Sequence, residues 1–393
     1  MLASNLANAL WLEDRLPQAL SWARWATHLG NQESVHPLAW RCLGNVLLDL
    51  GRFEEADQAY CKADPLARSA ADQFNRSKVA WGQGDLAKAW LLAEQRLHLR
   101  PLPDGVVPGP WWDGWPTVRQ VTVWAEQGFG DTLQFVRWLP LLLARGLVVE
   151  LLVQPPLQRL LSSGLAWMEP GLQVVSRNPE TSAAALSGCH GSLLSLPWRL
   201  ACPQPPGWGR LDPYIRLAST SSRRRSGRLR LGMLWGAGRY LDGHCRERDY
   251  RRKSVLGADL RSLLVGLAAR PVDLINLQVG ADRERPELEG VPWADALTAN
   301  GDFLDLAEQL LDLDLLISVD TAAAHLAGAM GVQTWVLLPW ASASRWGRDG
   351  VTTPWYPSLR LWRQSRHGDW QGLWPRVLEA LDQLCNSDLN NVS

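Results

Sequence analysis

The sequence predicts an α/β protein that carries a helical segment at its N-terminal end. Apolar runs of strand length alternate with helix-like spans through most of the chain, and this alternation indicates a largely parallel sheet. The first hundred residues are organised differently, because small residues recur there at the spacing of paired helices. The predicted strands are Val118 to Trp124, Val148 to Val153, Leu229 to Trp235, Val272 to Gln278, Leu315 to Val319, Thr334 to Leu338 and Leu359 to Arg363.

The composition is that of a globular protein with no preference for nucleic acid. A chain of 393 residues suggests about two or three domains. Lys plus Arg and Asp plus Glu number 40 each, so no global field attracts nucleic acid or an anionic membrane. The 6 cysteines are scattered without metal-ligand spacing, which predicts reduced thiols. No transmembrane segment is predicted, and we expect a cytoplasmic protein or one held peripherally at the inner face of the membrane.

Residues 1–101 carry the pattern of tetratricopeptide-like helical repeats. Small residues that let paired helices approach recur with an offset of 37 residues, and a third copy ends at Pro101. The middle copy, with Trp40, Leu43 and Gly44, fits the repeat best, whereas the outer copies depart from it as terminal repeats do. Such a stack offers a groove for a protein partner or an acceptor. Alternatively, it only stabilises or dimerises the rest of the chain.

Two breaks divide the remainder of the chain. Residues 102–116 are rich in Pro, Gly and Trp and predict a linker, and a Ser/Arg-rich stretch at 219–227 predicts a second boundary. The sequence therefore predicts α/β domains at 117–222 and 223–386, with a tail at 387–393.

Asp320 and the residues after it predict an anion site. The run Leu315 to Val319 leads through Asp320 and Thr321 into an alanine-rich segment that closes at Gly331, which predicts a strand, a sharp turn and a helix. The free N–H groups of a first helical turn attract phosphate, and a four-residue spacing puts Thr321 and His325 on one helix face. Two alternatives stay open: Asp320 caps the helix, and His325 is simply packed in the core.

A second glycine turn follows the run Val118 to Trp124. Gly128 and Gly130 allow the backbone to turn tightly near a ligand, and Asp131 stands at the start of a predicted helix. The dinucleotide fingerprint fails here, because Leu133 occupies the place of its third glycine. A carboxylate at the carboxyl end of a strand suits acid or base chemistry, although an aspartate here is also an ordinary helix cap.

These motifs together resemble the ADP-heptose:lipopolysaccharide heptosyltransferase-like family, which is glycosyltransferase family 9-like. Some bacterial members place tetratricopeptide repeats ahead of the module. The resemblance implies a GT-B fold, in which two Rossmann-like domains face each other across a cleft, 117–222 on the acceptor side and 223–386 on the donor side. The matching residues are Glu126 to Phe135, Ser195 to Pro197, Ser318 to Thr321, His325 to Ala329 and Trp355 to Pro357.

The resemblance also implies roles for individual residues. Asp131 matches the general base, and Asp320, Thr321 and His325 match the donor-site loop, with the turn made by the glycines before Asp131. From its place at a strand end, Gln278 is a candidate for contacting the nucleotide base or ribose.

The basic residue that meets the diphosphate is implied to be Lys253, with Arg251 or Arg252 as alternatives because the segment is densely charged. The loop Gly236-Ala237-Gly238 departs from the family pattern, which puts its polar contribution in doubt. Asp312-Leu313-Asp314 has the D-x-D form of a metal site but precedes a predicted buried strand, so we expect no metal there.

The sequence thus predicts an inverting, metal-independent glycosyltransferase with no cofactor beyond its nucleotide-sugar co-substrate. The expected acceptor is a glycan or lipopolysaccharide-type molecule, free or lipid-linked, and no nucleic-acid partner is expected. Two alternatives are a protein-modifying O-glycosyltransferase and an interaction scaffold whose transferase module has lost activity.

Overall fold

The structure is a computed structural model that describes residues 1–28, 36–66, 68–99, 101–103, 106, 109–115, 118–177, 189–218, 228–238, 244–295, 297 and 301–390. Parts of the predicted 102–116 linker, residue 117, the break at 219–227 and the last residues of the tail lie outside these ranges. The division into domains at these points stays a prediction.

The described part of the first hundred residues is mostly helical. Its helices are α1 Leu2–Leu12, α2 Leu16–His28, α3 Pro37–Asp49, α4 Phe53–Ala63, α5 Ala70–Gly82 and α6 Leu86–Ala93, followed by a 3₁₀ helix Glu94–His98. They pack as consecutive pairs, α1 with α2, α3 with α4 and α5 with α6. Small residues allow this pairing, since a Cβ added to Gly44 would lie 2.8 Å from Tyr60 Cε1. The assignment of the pairs to tetratricopeptide repeats stays a prediction.

The first sheet is parallel throughout. Its strands are β1 Gln120–Trp124, β2 Val148–Val153, β3 Leu172–Ser176 and β4 Cys189–Ser192, in the spatial order β3-β2-β1-β4. Its helices are α7 Phe129–Phe135, α8 Leu139–Leu143, α9 Gln158–Gly164 and α10 Leu196–Arg199.

The second sheet is also parallel and larger. Its strands are β5 Leu229–Leu234, β6 Val272–Asn276, β7 Trp293–Asp295, β8 Leu315–Val319, β9 Thr334–Leu338 and β10 Leu359–Arg363, in the order β10-β9-β8-β5-β6-β7. Its helices are α11 His244–Lys253, α12 Gly257–Ala268, α13 Phe303–Leu311, α14 Ala322–Met330 and α15 Trp374–Asn390. This order is that of a doubly wound sheet, which reverses direction between β5 and β8.

The prediction of an α/β protein with parallel sheets is confirmed. The ends of β2, β8, β9 and β10 agree with the predicted runs, and those of β1, β5 and β6 lie within two residues of them. β3, β4 and β7 were not predicted, because they are short and lack a continuous apolar run. Among the described residues, no helix is both long enough and apolar enough to cross a membrane.

The helical pairs bridge both sheets. Trp90 of α6 lies in one core with Phe135, Trp138 and Trp355, which belong to the two α/β units. In addition, α1 packs against α11. The described helices of the N-terminal segment are therefore an integral part of the packed structure.

Candidate functional site

The two sheets bring helix N-termini together at one point. β1 and β8 each lie where the strand order of their sheet reverses, and ligands of open α/β sheets bind beyond the carboxyl ends of such strands. α7 follows β1, α14 follows β8, and these helices pack against each other. A Cβ added to Gly130 would lie 2.7 Å from His325 Cδ2, so the contact needs a glycine. The two sequence motifs therefore meet in one site.

The Asp320 carboxylate pairs with Lys253 instead of capping a helix. α14 begins at Ala322, and Thr321 precedes it without a side-chain cap. Asp320 Oδ2 lies 2.8 Å from Lys253 Nζ. Burial alone would raise the pKa of this carboxyl, but the charge of Lys253, its hydrogen bond and the nearby Arg345 and His325 together outweigh burial and hold the pKa well below its ordinary value. The sequence-based alternative that Asp320 caps the helix is therefore wrong.

Of the three basic residues considered for the diphosphate, Lys253 lies at the site. It is the last residue of α11, and its side chain beside Asp320 is 24% exposed. Arg252 instead binds Asp49 in the helical segment, with 3.2 Å between Nη1 and Oδ1. Arg251 is exposed on the same helix. Lys253 is therefore the residue of this charged segment that can meet a ligand at α14.

His325 is a buried, uncharged imidazole. Its Nδ1 lies 3.0 Å from the Tyr356 hydroxyl, and its ring stacks on Trp346. Burial, reinforced by the charge of Arg345, lowers the pKa of His325 to about 3. Arg345 Nη1 lies 3.5 Å from Nε2, and a guanidinium can only donate, so we assign the hydrogen to Nδ1. The sequence left open whether His325 contacts a ligand or is only packed in the core. The structure shows that it is packed against Tyr356 and Trp346, and its contact with a ligand stays a prediction.

Asp131 stands at the third position of α7 and is held from two sides. Its Oδ2 accepts the Gly128 N–H at 3.2 Å, which is the helix-capping contact. Its Oδ1 accepts Arg345 Nη2 at 2.6 Å. Burial alone would raise the pKa of this carboxyl, but the charge and hydrogen bond of Arg345, with His325 and the Gly128 N–H, together outweigh burial and lower the pKa. Asp131 is therefore charged and belongs both to the helix cap and to an ion pair between the two α/β units.

Arg345 is the site residue that the sequence did not reveal. It lies in a 3₁₀ turn, Ser344–Trp346, a few residues beyond β9. Besides Asp131, its Nη1 donates to Gln134 Oε1 at 2.7 Å, and its guanidinium lies 5.5 Å from the Trp81 ring centroid in α5. Arg345 thus joins both α/β units and the helical segment. Its position after a strand of a parallel sheet is the signal that could have nominated it.

Five side chains form a continuous row across this interface. The successive contacts are Lys253 to Asp320 at 2.8 Å, Asp320 to His325 at 4.0 Å, His325 to Arg345 at 3.5 Å and Arg345 to Asp131 at 2.6 Å. The two cations are the most exposed members, since the side chains of Lys253 and Arg345 are 24% and 20% exposed, against 16% for Asp131, 6% for Asp320 and 4% for His325. A ligand that approaches the row therefore meets positive charge and, at α14, a helix N-terminus.

The remaining predicted residues, Thr321 and Gln278, have partners outside this row. Thr321 is half-buried at the start of α14, with its hydroxyl 3.0 Å from Ser318 Oγ. Gln278 is buried, and its Oε1 accepts the backbone N–H groups of Trp235 at 3.1 Å and Gly236 at 2.9 Å. Gln278 thus holds the loop after β5, and its contact with a nucleotide base or ribose stays a prediction.

The buried, neutral His325 should make the protein sensitive to acid. The unfolded chain takes up a proton on this residue below its ordinary pKa of 6.5, whereas the folded protein resists until about pH 3. This stability is therefore present above pH 6.5 and is lost as the pH falls, by about 2 kcal/mol at pH 5. We expect the free energy of unfolding of His325→Gln, measured in urea at pH 7 and pH 5, to fall less than that of the wild type by about this amount. The exposed His98→Gln is the control, and equal pH dependences in all three proteins would contradict the prediction.

The described residues contain no group of three or more His, Cys, Asp or Glu side chains that could hold a metal ion. The D-x-D pair is occupied by one arginine: Asp312 binds the Arg230 side chain at 2.7 Å, and Asp314 accepts the Arg230 N–H at 2.9 Å. Both aspartates of the D-x-D pair therefore contact Arg230.

No protein-family model matches the chain. The chain is similar to Protein FlbA of Caulobacter vibrioides, with 24% identity over an alignment of 381 residues that covers 85% of this chain. The chain spans 59% of the length of that relative.

Among solved structures, the chain is similar to E. coli ADP-heptose lps heptosyltransferase II, with a TM-score of 0.47, 14% identity and coverage of 68% of this chain and 99% of that one. It is also similar to glycosyltransferase TibC from enterotoxigenic E. coli H10407, with a TM-score of 0.43, 14% identity and coverage of 70% and 76%. TibC is described as iron-containing and dodecameric. The sequence-based expectation of no metal and no cofactor is therefore wrong, because TibC, a glycosyltransferase to which the chain is similar, is iron-containing.

Proposed function

We propose that the chain is a glycosyltransferase that moves a sugar from a nucleotide-sugar donor to a hydroxyl-bearing acceptor. The observation that carries this proposal is the row from Lys253 to Asp131, in which two partly exposed cations flank a helix N-terminus and a carboxylate lies across the interface. Cations and a helix N-terminus suit the diphosphate of a donor. A carboxylate on the opposite side suits the hydroxyl of an acceptor.

In the proposed reaction, the acceptor hydroxyl oxygen forms a bond to the anomeric carbon of the donor sugar. The bond from that carbon to the diphosphate oxygen breaks, and its electron pair leaves with the diphosphate. Asp131 accepts the proton of the hydroxyl, while Lys253 and the first turn of α14 stabilise the growing negative charge. Because the acceptor attacks from the face opposite the leaving group, the anomeric centre is inverted.

The acceptor that we propose is a glycan or lipopolysaccharide-type molecule, and a protein hydroxyl is the alternative. Residues 117–222 would present the acceptor, since Asp131 belongs to them. Residues 223–386 would hold the donor, since they supply Lys253, Asp320, Thr321 and His325.

A scaffold with a catalytically lost transferase module is the second candidate, and one observation favours it. The N–H groups of Gly236 and Ala237, in the loop that departs from the family pattern, are already bound to Gln278 Oε1 and Ser254 Oγ, at 2.9 and 3.0 Å. These two N–H groups are therefore not free to donate hydrogen bonds to a nucleotide. A thermal-shift screen with nucleotide diphosphates and nucleotide sugars separates the two candidates, because a ligand that binds only the native state stabilises it. Specific stabilisation by one nucleotide supports the transferase, and no response to any of them supports the scaffold.

Lys253→Met is expected to weaken the binding of the nucleotide diphosphate found in that screen. The variant loses one charge-assisted contact, worth about 1.5–3 kcal/mol, or about 10- to 150-fold in affinity. Calorimetry measures the change, and circular dichroism checks that the buried Asp320 has not unfolded the variant.

The matched control is Arg251→Met, which removes the same charge from an exposed position on the same helix. If the two variants bound the nucleotide equally well, Lys253 would contribute only to the general field, and its proposed contact with the diphosphate would be refuted.

A further inference from the structure

The Arg345 guanidinium and the Asp131 carboxylate hold each other across the interface between the two α/β units. The 2.6 Å contact between Nη2 and Oδ1 is the shortest of the row. Asp131 Oδ2 is engaged as well, by the Gly128 N–H at 3.2 Å. Both oxygens of the proposed base therefore accept a hydrogen bond.

These contacts oppose the role proposed for Asp131. A general base works best when its proton affinity is high, and a bound guanidinium lowers the proton affinity of a carboxylate. The Gly128 N–H cannot move away from Asp131 to restore its proton affinity, because this N–H belongs to the backbone of the helix cap. Arg345 is the partner that could leave, since its side chain is 20% exposed and its Nη1 already lies beside His325 of the proposed donor unit.

A second anion is expected within reach of Arg345. Its Nη1 lies 3.5 Å from His325, which is one turn into α14, the helix whose N-terminus is the proposed diphosphate site. A diphosphate carries more negative charge than a carboxylate, and its oxygens match the planar fork of a guanidinium. The orphan Nε2 of Gln134, which is fully buried beside Arg345, indicates that polar groups here are not all satisfied by the protein.

We propose that Arg345 is shared between two anions: the Asp131 carboxylate, which it holds here, and the diphosphate of the donor, which draws it away. Donor binding would then release Asp131 to act as the base, and the acceptor would be activated only after the donor is in place. This inference rests on the proposed function and adds a ligand of the donor and an order of binding to it.

The test measures the binding of inorganic pyrophosphate to the full chain by calorimetry, in a double-mutant cycle. Arg345→Gln should weaken binding by about 10- to 100-fold, because a charge-assisted contact is lost. Asp131→Asn should tighten binding by about 10-fold, because Arg345 no longer has to leave a charged partner. In the double variant the gain from Asp131→Asn should disappear. Simple repulsion between Asp131 and the anion would instead give the same gain with or without Arg345.

Equal gains in both backgrounds, or no gain in either, would overturn the sharing of Arg345. Arg345→Lys keeps the charge without the fork and serves as the second variant if Arg345→Gln does not fold. It should weaken pyrophosphate binding and reduce the gain from Asp131→Asn, and an unchanged gain would count against the proposal. If the wild type binds nucleotide diphosphates but the effects of Arg345→Gln and Asp131→Asn on pyrophosphate affinity are additive, this inference alone is overturned. A wild type that binds neither pyrophosphate nor any nucleotide would overturn the proposed function as well.

Discussion

Asp131→Asn is expected to lower the turnover of donor and acceptor by about 10²- to 10⁴-fold, the usual contribution of a positioned general base. Asparagine keeps an oxygen for the Gly128 N–H and is a good helix-capping residue, but it cannot take the proton of the acceptor. The substitution also removes the ion pair with Arg345, so a moderate loss of stability should accompany the loss of turnover. Turnover is measured with the donor found by the binding screen, under conditions where the chemical step is limiting.

The chain offers a matched control for the capping part of this substitution. Asp305 occupies the same third position in α13 and accepts the N–H of Asp302 at 2.7 Å, as Asp131 accepts that of Gly128. Asp305→Asn therefore changes a helix cap of the same kind away from the row of site residues, and its turnover should stay close to that of the wild type. If Asp131→Asn turned over at a rate similar to Asp305→Asn, Asp131 would be a helix cap and an ion-pair partner only.

The sequence located the ends of the central strands but not the partners of the residues that follow them. A buried strand must be apolar on both faces, which makes β8 and β9 recognisable from composition alone. The edge strand β7 is only three residues long and has no continuous apolar run by which it could be recognised in the sequence. The position of Asp320 at a strand end was therefore predictable. Its ion pair with Lys253 depends on how α11 returns to the sheet, and this competing partner is the reason that the predicted cap failed.

The meeting of the two motifs could not be predicted from local pattern. Asp131 and His325 lie on helices that follow strands of different sheets. These helices meet where Gly130 packs closely against the imidazole of His325. Arg345 escaped notice for the same reason, because neither periodicity nor a motif marks the turn between β9 and β10. Gln278 shows the opposite case. The strand-end rule found its place correctly, but its amide is occupied by the backbone of the neighbouring loop.

The relation of the helical segment to the rest of the chain was also beyond the sequence. The resemblance begins after this segment, and two alternatives were left open: a unit that stabilises or dimerises the rest of the chain, and an accessory unit that recruits an acceptor or partner. Arg96, in the 3₁₀ helix Glu94–His98, is instead only 4% exposed and donates to Glu126 at 2.7 Å and to Ser195 at 2.9 Å. Both partners belong to the motifs that carry the resemblance. A residue outside the resembling module therefore holds two of its motifs together.

Arg96→Met is accordingly expected to destabilise the whole protein by about 3–5 kcal/mol, the usual cost of breaking a buried ion pair from one side. Methionine preserves much of the apolar stem but leaves the Glu126 carboxylate, 11% exposed, without Arg96, and leaves Glu94, 14% exposed, with Arg199 alone at 3.6 Å. The free energy of unfolding in urea, followed by circular dichroism, measures the effect. The control is Arg24→Met, which breaks the pair with Glu55 at the surface of the same helical segment, where the side chains are 47% and 45% exposed. That variant should lose no more than about 1 kcal/mol.

Arg96→Lys distinguishes the charge of Arg96 from its geometry. Lysine restores a cation but has a single nitrogen, whereas the guanidinium binds Glu126 through Nε and Nη2 and Glu94 through Nη1 at the same time. The lysine variant should therefore regain part of the stability, while the loop from Glu126 to Gly128, which positions Asp131, stays less ordered. Turnover should then remain lower than stability alone would explain, with donor affinity largely kept. If Arg96→Met cost no more stability than Arg24→Met, the helical segment would be an accessory to the α/β units, which is one of the two alternatives that the sequence left open, and Asp131 would be positioned without it.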